Sequence, residues 1–137
     1  MNTIGRKNVL FGLVYFLATL GLGMFLAYKS DGAPPEWFSS TTKALLGTAH
    51  SHGNLESVLN IVFGYLICRI GSPSETLAKA VSILLIVGAV FHSGTIYLAG
   101  AGIAAALNFT LIGAICLVVS VGLMIPITAR GLEAQAA

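Results

Sequence analysis

Charge is what this chain lacks most. Lys, Arg, Asp and Glu make up 9% of its 137 residues and hydrophobic residues 56%, whereas an ordinary soluble domain carries roughly 25% charge. So few charges cannot cover a water-facing surface, and the composition predicts an integral membrane protein. The net charge of +2 is too small and too scattered to suggest nucleic acid as a partner. Cysteine is confined to Cys68 and Cys116, both inside apolar runs, where a thiol usually packs as a small hydrophobe and implies no disulfide. Soluble catalytic templates are missing as well: there is no His-Glu-x-x-His, no phosphate loop, no Gly-x-Ser-x-Gly and no Cys-x-x-Cys.

What is present is four apolar runs, near Val9–Tyr28, Ala44–Ile70, Leu77–Leu98 and Ile103–Thr128. Each is long enough for a bilayer, which takes about 20 residues at 1.5 Å rise per residue. Hydrocarbon cannot satisfy a bare backbone, and none of the runs alternates with period two, so all four are expected to be helices. The first run exceeds the apolar stretch of a signal peptide and reads as a retained span. Short connections leave no separate soluble module. The expectation is one transmembrane domain over 1–137, an all-α integral membrane four-helix bundle.

Basic residues set the orientation. Arg6, Lys7, Arg69, Lys79 and Arg130 flank one side and only Lys29 and Lys43 the other, which places both termini in the cytoplasm. In the first loop, Asp31 to Pro35 reads as a turn, Trp37-Phe38 as an interfacial anchor and Ser39 to Thr42 as an N-cap supply. Ser74 is positioned to cap the third helix, and Gly100-Ala101-Gly102 is short enough to make the last two helices antiparallel neighbours. Gly113 and Gly122 suit close helix approach, and the tail from Gly131 to Ala137 is expected to fray.

The polar exception is Ala49 to Asn60, with two histidines, a glutamate and two asparagines. Such groups are costly in hydrocarbon unless paired or bound, so an intramembrane cluster is a candidate site. At about 100° per residue, His50, Gly53, Asn54, Glu56, Ser57, Asn60 and Gly64 share one arc of about 160°. That face is expected to look into the bundle or at a bound molecule. His52 falls at its margin beside Glu56, away from His50, so one helix does not easily aim both histidines at one metal. The third helix adds His92 and Tyr97. His50 and His92 each lie about 9 Å below the outer surface by helical rise, a depth at which they are able to share a pocket. Each polar group also has a structural explanation as an interhelical hydrogen-bond partner.

The pattern Ala49-His50-Ser51 with Leu55, after Pro35-Glu36-Trp37, together with Ile96-Tyr97-Leu98 on the third helix, resembles the styrene oxide isomerases, small four-span membrane enzymes. The resemblance implies a homotrimer in the bacterial inner membrane holding haem b, with His50 as axial ligand; Asn54 and Ser57 would then fix the imidazole or a propionate, and His92, which the family pattern does not place, is a further candidate on the cofactor side. It implies ferric iron acting as a Lewis acid on a small apolar epoxide, which opens and rearranges to an aldehyde without net redox change. Tyr97 would orient or polarise the substrate.

Two positions depart from that pattern: Glu56 stands where the family has asparagine, and His52 where it has glycine. A carboxylate at 56 can stabilise a cationic transition state, trap it covalently or favour hydrolysis. If His92 or His52 took the second axial position, the chain would be a bis-histidine electron carrier. Two alternatives to an isomerase therefore stand: a non-catalytic haem module for electron transfer or gas binding, and a haem-free accessory subunit docking another membrane protein.

Overall fold

The computed structural model describes residues 3–70 and 74–136. Their regular structure is entirely helical. Helix α1 spans Arg6–Ser30, the single turn α2 spans Pro35–Phe38, and α3 spans Thr41–Ile70. Next come α4 (Glu75–Ala89), a π-turn (Val90–Gly94) and α5 (Thr95–Gly100), followed by a 3-10 segment (Ala104–Phe109) and α6 (Thr110–Ala136). All four apolar runs are thus helical. Among the described residues three units are long and apolar enough to cross a membrane: Arg6–Ser30, Glu75–Gly100 and Ala104–Ala134. Helix α3, with 30 residues, is the least apolar of the long helices because it carries the polar stretch.

The expected caps form. Ser40 Oγ accepts from the Lys43 backbone N–H at 3.2 Å at the start of α3, and Ser74 Oγ accepts from the Leu77 N–H at 3.4 Å at the start of α4. Gly71, Ser72 and Pro73 of the expected second turn lie outside the described residues. Gly32 and Gly102 take φ of 67° and 109°, values a Cβ disfavours, and so turn the chain out of α1 and out of α5. Trp37 Nε1–H donates to Ser30 Oγ at 3.2 Å, folding the α2 turn back on the end of α1. Cys68 and Cys116 are free thiols.

Helix α1 packs chiefly on α3, and α4 on α6. The α1–α3 seam is made of small residues: a Cβ on Gly12 would lie 2.7 Å from the Ser57 carbonyl oxygen, and one on Gly53 would lie 2.4 Å from Thr19 Cγ2. Large apolar side chains point outward instead. Leu17 and Val118 are each 73% exposed, whereas Asn8, Ser57, Asn60, Ser82 and Ser120 are fully buried. Small and polar inside with aliphatic outside is the distribution expected where hydrocarbon is the solvent and close packing and hydrogen bonds join the helices. An apolar cluster of Ile67, Val81, Leu85, Met124 and Ile127 joins α3, α4 and α6.

Two expectations about α6 need correction. Helix α6 continues through Gly131 to Ala136 where fraying was expected, because Gly131 is buried against Ile70 with no room for a Cβ. Gly122 makes no close approach, since a Cβ there would meet nothing within 4 Å.

Candidate functional site

The polar face of α3 is buried much as its helical spacing predicts, with Gly53, Glu56, Ser57, Asn60 and Gly64 buried and His52 exposed at the edge. It serves three neighbours. Toward the apolar cluster, Asn8 Nδ2 donates to Asn60 Oδ1 at 3.0 Å and to the Ser82 carbonyl at 2.8 Å, while Ser82 Oγ donates to Asn8 Oδ1. Asn60 Nδ2 in turn donates to the carbonyls of Glu56 and Leu85 at 3.0 and 3.2 Å. This network joins α1, α3 and α4 and satisfies every member, which is what a low-dielectric interior demands.

Glu56 meets the π-turn. Its Oε1 accepts from His92 Nδ1–H at 2.6 Å and its Oε2 accepts from Ser93 Oγ. Tyr15 of α1 lies 2.7 Å from Ser93 Oγ; with the serine proton given to the carboxylate, the tyrosine hydroxyl is the donor. The His52 ring stands edge-on to His92 with centroids 4.8 Å apart. The π-turn has a local cause. Thr95 Oγ1–H lies within reach of the carbonyls of Phe91 and His92, at 2.8 and 2.9 Å, and gives a donor to backbone carbonyls that leave the α-helical ladder.

His50 faces α1. Its Nδ1–H donates to the Thr19 carbonyl at 2.8 Å, and the Asn54 amide donates to its Nε2 across 3.4 Å. Thr19 Oγ1 donates to Asn54 Oδ1 at 2.6 Å, which orients that amide. The ring rests over bare Gly23, where a Cβ would lie 2.5 Å from His50 Cε1. Anchoring Nδ1 on a carbonyl leaves the lone pair on Nε2, the tautomer an iron-ligating imidazole has. That lone pair is taken by the Asn54 amide, which an iron at Nε2 would have to displace.

A cavity of about 710 Å³ lies between α1, the start of α3 and α5. Its walls are mostly apolar, with Leu22, Phe25 and Leu46 among them, and its polar groups are those of Tyr15, Thr19, Thr42, Ser93 and Tyr97. No protein-family model, curated protein or solved structure matches this chain. Thr19 and Ala49, the neighbours of His50 in space and in sequence, border the cavity, while His50 and His92 do not.

His50 and His92, placed at one depth by helical rise, meet different partners: Thr19 and Asn54 for the first, Glu56 for the second. Helical rotation of about 240° from His50 to Glu56 sends the two positions to different neighbours, and His92 follows Glu56. Ser57 touches neither histidine; its hydroxyl donates to the Gly53 carbonyl of its own helix at 2.6 Å. Tyr97 borders the cavity and is 46% exposed. Tyr15, Thr19 and Ser93 were not among the sequence-derived candidates. For Tyr15 and Thr19 the signal is on α1, where Asn8, Gly12, Tyr15 and Thr19 recur at steps of four, three and four, one small and polar stripe on an apolar helix.

Proposed function

We propose that the chain is a four-helix integral membrane protein, termini in the cytoplasm, that rearranges a small apolar epoxide to an aldehyde and holds haem b through His50. The supporting observation is the cavity: about 710 Å³, walled by aliphatic and aromatic groups, with Tyr15, Ser93 and Tyr97 among its few polar residues. That is the build of a site for a small apolar molecule bearing one or two acceptor atoms. The resemblance of Ala49-His50-Ser51 and Tyr97 to the epoxide isomerases supplies the reaction class and the homotrimeric partner state. When bound, ferric haem supplies a Lewis acid for the epoxide oxygen.

The residues of the chain do the rest. Aliphatic walls exclude water, so a ring opening toward a carbocation is resolved by internal hydride migration and not by hydration. The Tyr97 phenol donates toward the oxygen as charge develops there. Tyr15 and Ser93 link the cavity to Glu56, whose carboxylate sits behind Ser93 as a counter-charge to cationic character without contacting substrate. Burial of Glu56 behind that hydroxyl pair works against covalent trapping.

Protein purified in detergent after expression with haem supply is the test. A Soret band lost in His50→Ala, and aldehyde formed from an aryl epoxide without added reductant, are the expected results. Diol in place of aldehyde, or no Soret band, overturns this assignment.

A further inference from the structure

We propose that His52, Glu56 and His92 form a second metal site, a two-histidine, one-carboxylate centre for a divalent transition ion, separate from His50 and joined to the cavity only through Ser93, which borders it. Each residue offers one ligand atom, and the three atoms lie within 4.8 Å of one another. His52 and Glu56 are one helical turn apart on α3 and so project together. His92 reaches them from the π-turn, a feature frequent at functional sites because it re-aims side chains out of the helical register. The 2.6 Å contact between His92 Nδ1 and Glu56 Oε1 joins two atoms that are both able to ligate, and an ion entering between them replaces the shared proton.

The surroundings favour an ion over a simple hydrogen-bonded cluster. Glu56 is 2% exposed, so its second oxygen is kept in place by Ser93, the outer support that ligating carboxylates have. Among the described residues His52 makes no hydrogen bond; its ring contact with His92 is edge-on. A polar imidazole on the outer face of a membrane helix is costly without a partner, and an ion gives it one. A tetrahedral zinc site has ligand atoms about 3.3 Å apart, from bonds of about 2.0–2.1 Å. To reach that spacing His92 Nδ1 and Glu56 Oε1, 2.6 Å apart, must part by about 0.7 Å, while His52, the exposed member, moves in. Two imidazoles and one carboxylate suit Zn²⁺ or Fe²⁺ and do not suit Mg²⁺ or Ca²⁺, which take oxygen ligands. Three protein ligands would leave a fourth tetrahedral position open.

The test is titration of chelator-treated full-length protein in detergent with Co²⁺, read by its visible ligand-field bands, followed by displacement with Zn²⁺. One ion per chain is expected. His92→Ala and Glu56→Gln abolish the bands, and Ser93→Ala weakens binding by about 10- to 100-fold, the usual effect of an outer support. His52→Ala is the decisive variant, because the side chain is exposed and its loss leaves the packing intact, as an unchanged melting transition will show. Loss of the bands in that variant supports the site. Absence of Co²⁺ bands in folded wild-type protein, or equal binding by His52→Ala, overturns it. Haem content, read separately from the Soret band, falls in His50→Ala while Co²⁺ binding persists, so failure of the haem assignment and failure of this one are told apart.

Discussion

Gly113 of α6 lies so close to the π-turn that a Cβ there would sit 2.3 Å from the backbone nitrogen of His92. Backbone cannot swing aside as a side-chain tip does, so α6 holds the turn that delivers His92 and Ser93 to Glu56. Gly113→Ala is therefore expected to destabilise the protein by about 1–3 kcal/mol, the usual cost of overpacking. Gly122→Ala, where a Cβ meets nothing within 4 Å, is expected to be neutral or to gain up to about 1 kcal/mol from helix propensity. Thermal unfolding of both variants in one detergent checks the contrast; equal melting would sink the idea that α6 clamps the turn.

The helices and the inward face of α3 were legible in the sequence, because a period near 3.6 and the cost of polar groups in hydrocarbon are local properties. The partners of that face were not. Nothing local to Glu56 says that a π-turn 36 positions on will supply its donors, since π-turns arise from side-chain bonds such as Thr95 to Phe91 that compete with the regular ladder. Likewise equal depth put His50 and His92 together in expectation, while rotation about α3 separates them. Depth is a one-dimensional coordinate, and a shared site needs azimuth as well.

Asn8 and Asn60 give a second measurable relationship. Both are fully buried, and Asn8 bonds to Asn60, to the Ser82 carbonyl and to the Ser82 hydroxyl. Asn8→Leu strands the buried Asn60 and Ser82 groups, each worth about 1–3 kcal/mol when unsatisfied, although partner exchange within a membrane lowers such costs. A net loss of about 2 kcal/mol is expected. Combining it with Asn60→Leu is expected to cost less than the sum of the two single variants, since the second change removes a group the first left unpaired. Strict additivity in unfolding measurements would contradict the network.

Orientation rests on the basic residues beside the spans, with Arg6, Lys7, Arg69, Lys79 and Arg130 on one side against Lys29 and Lys43 on the other. A fluorescent-protein fusion at either end is expected to fluoresce, because such proteins mature in the cytoplasm. Alkaline phosphatase inserted at Gly32, in the turn after α1, is expected to be active across the membrane. Phosphatase activity at the ends and none at Gly32 would reverse the topology.

The cavity makes the sharpest demand on the proposed chemistry. Gly21 borders it and has nothing within 4 Å of a would-be Cβ, so Gly21→Phe has room to fold while its ring takes up space near the wall. Tyr97→Phe keeps the wall and removes one hydroxyl. If an epoxide binds there, Gly21→Phe raises KM or abolishes turnover. Tyr97→Phe, by contrast, lowers kcat by about 100-fold, the typical effect of losing a donor to a developing oxyanion, with KM little changed. The two variants thus separate occupancy from chemistry. Should Gly21→Phe turn over aryl epoxides like wild type while Tyr97→Phe does not, the reacting molecule lies elsewhere on the Tyr97 surface, which is open enough, at 46% exposure, to meet it from the lipid or from a neighbouring chain.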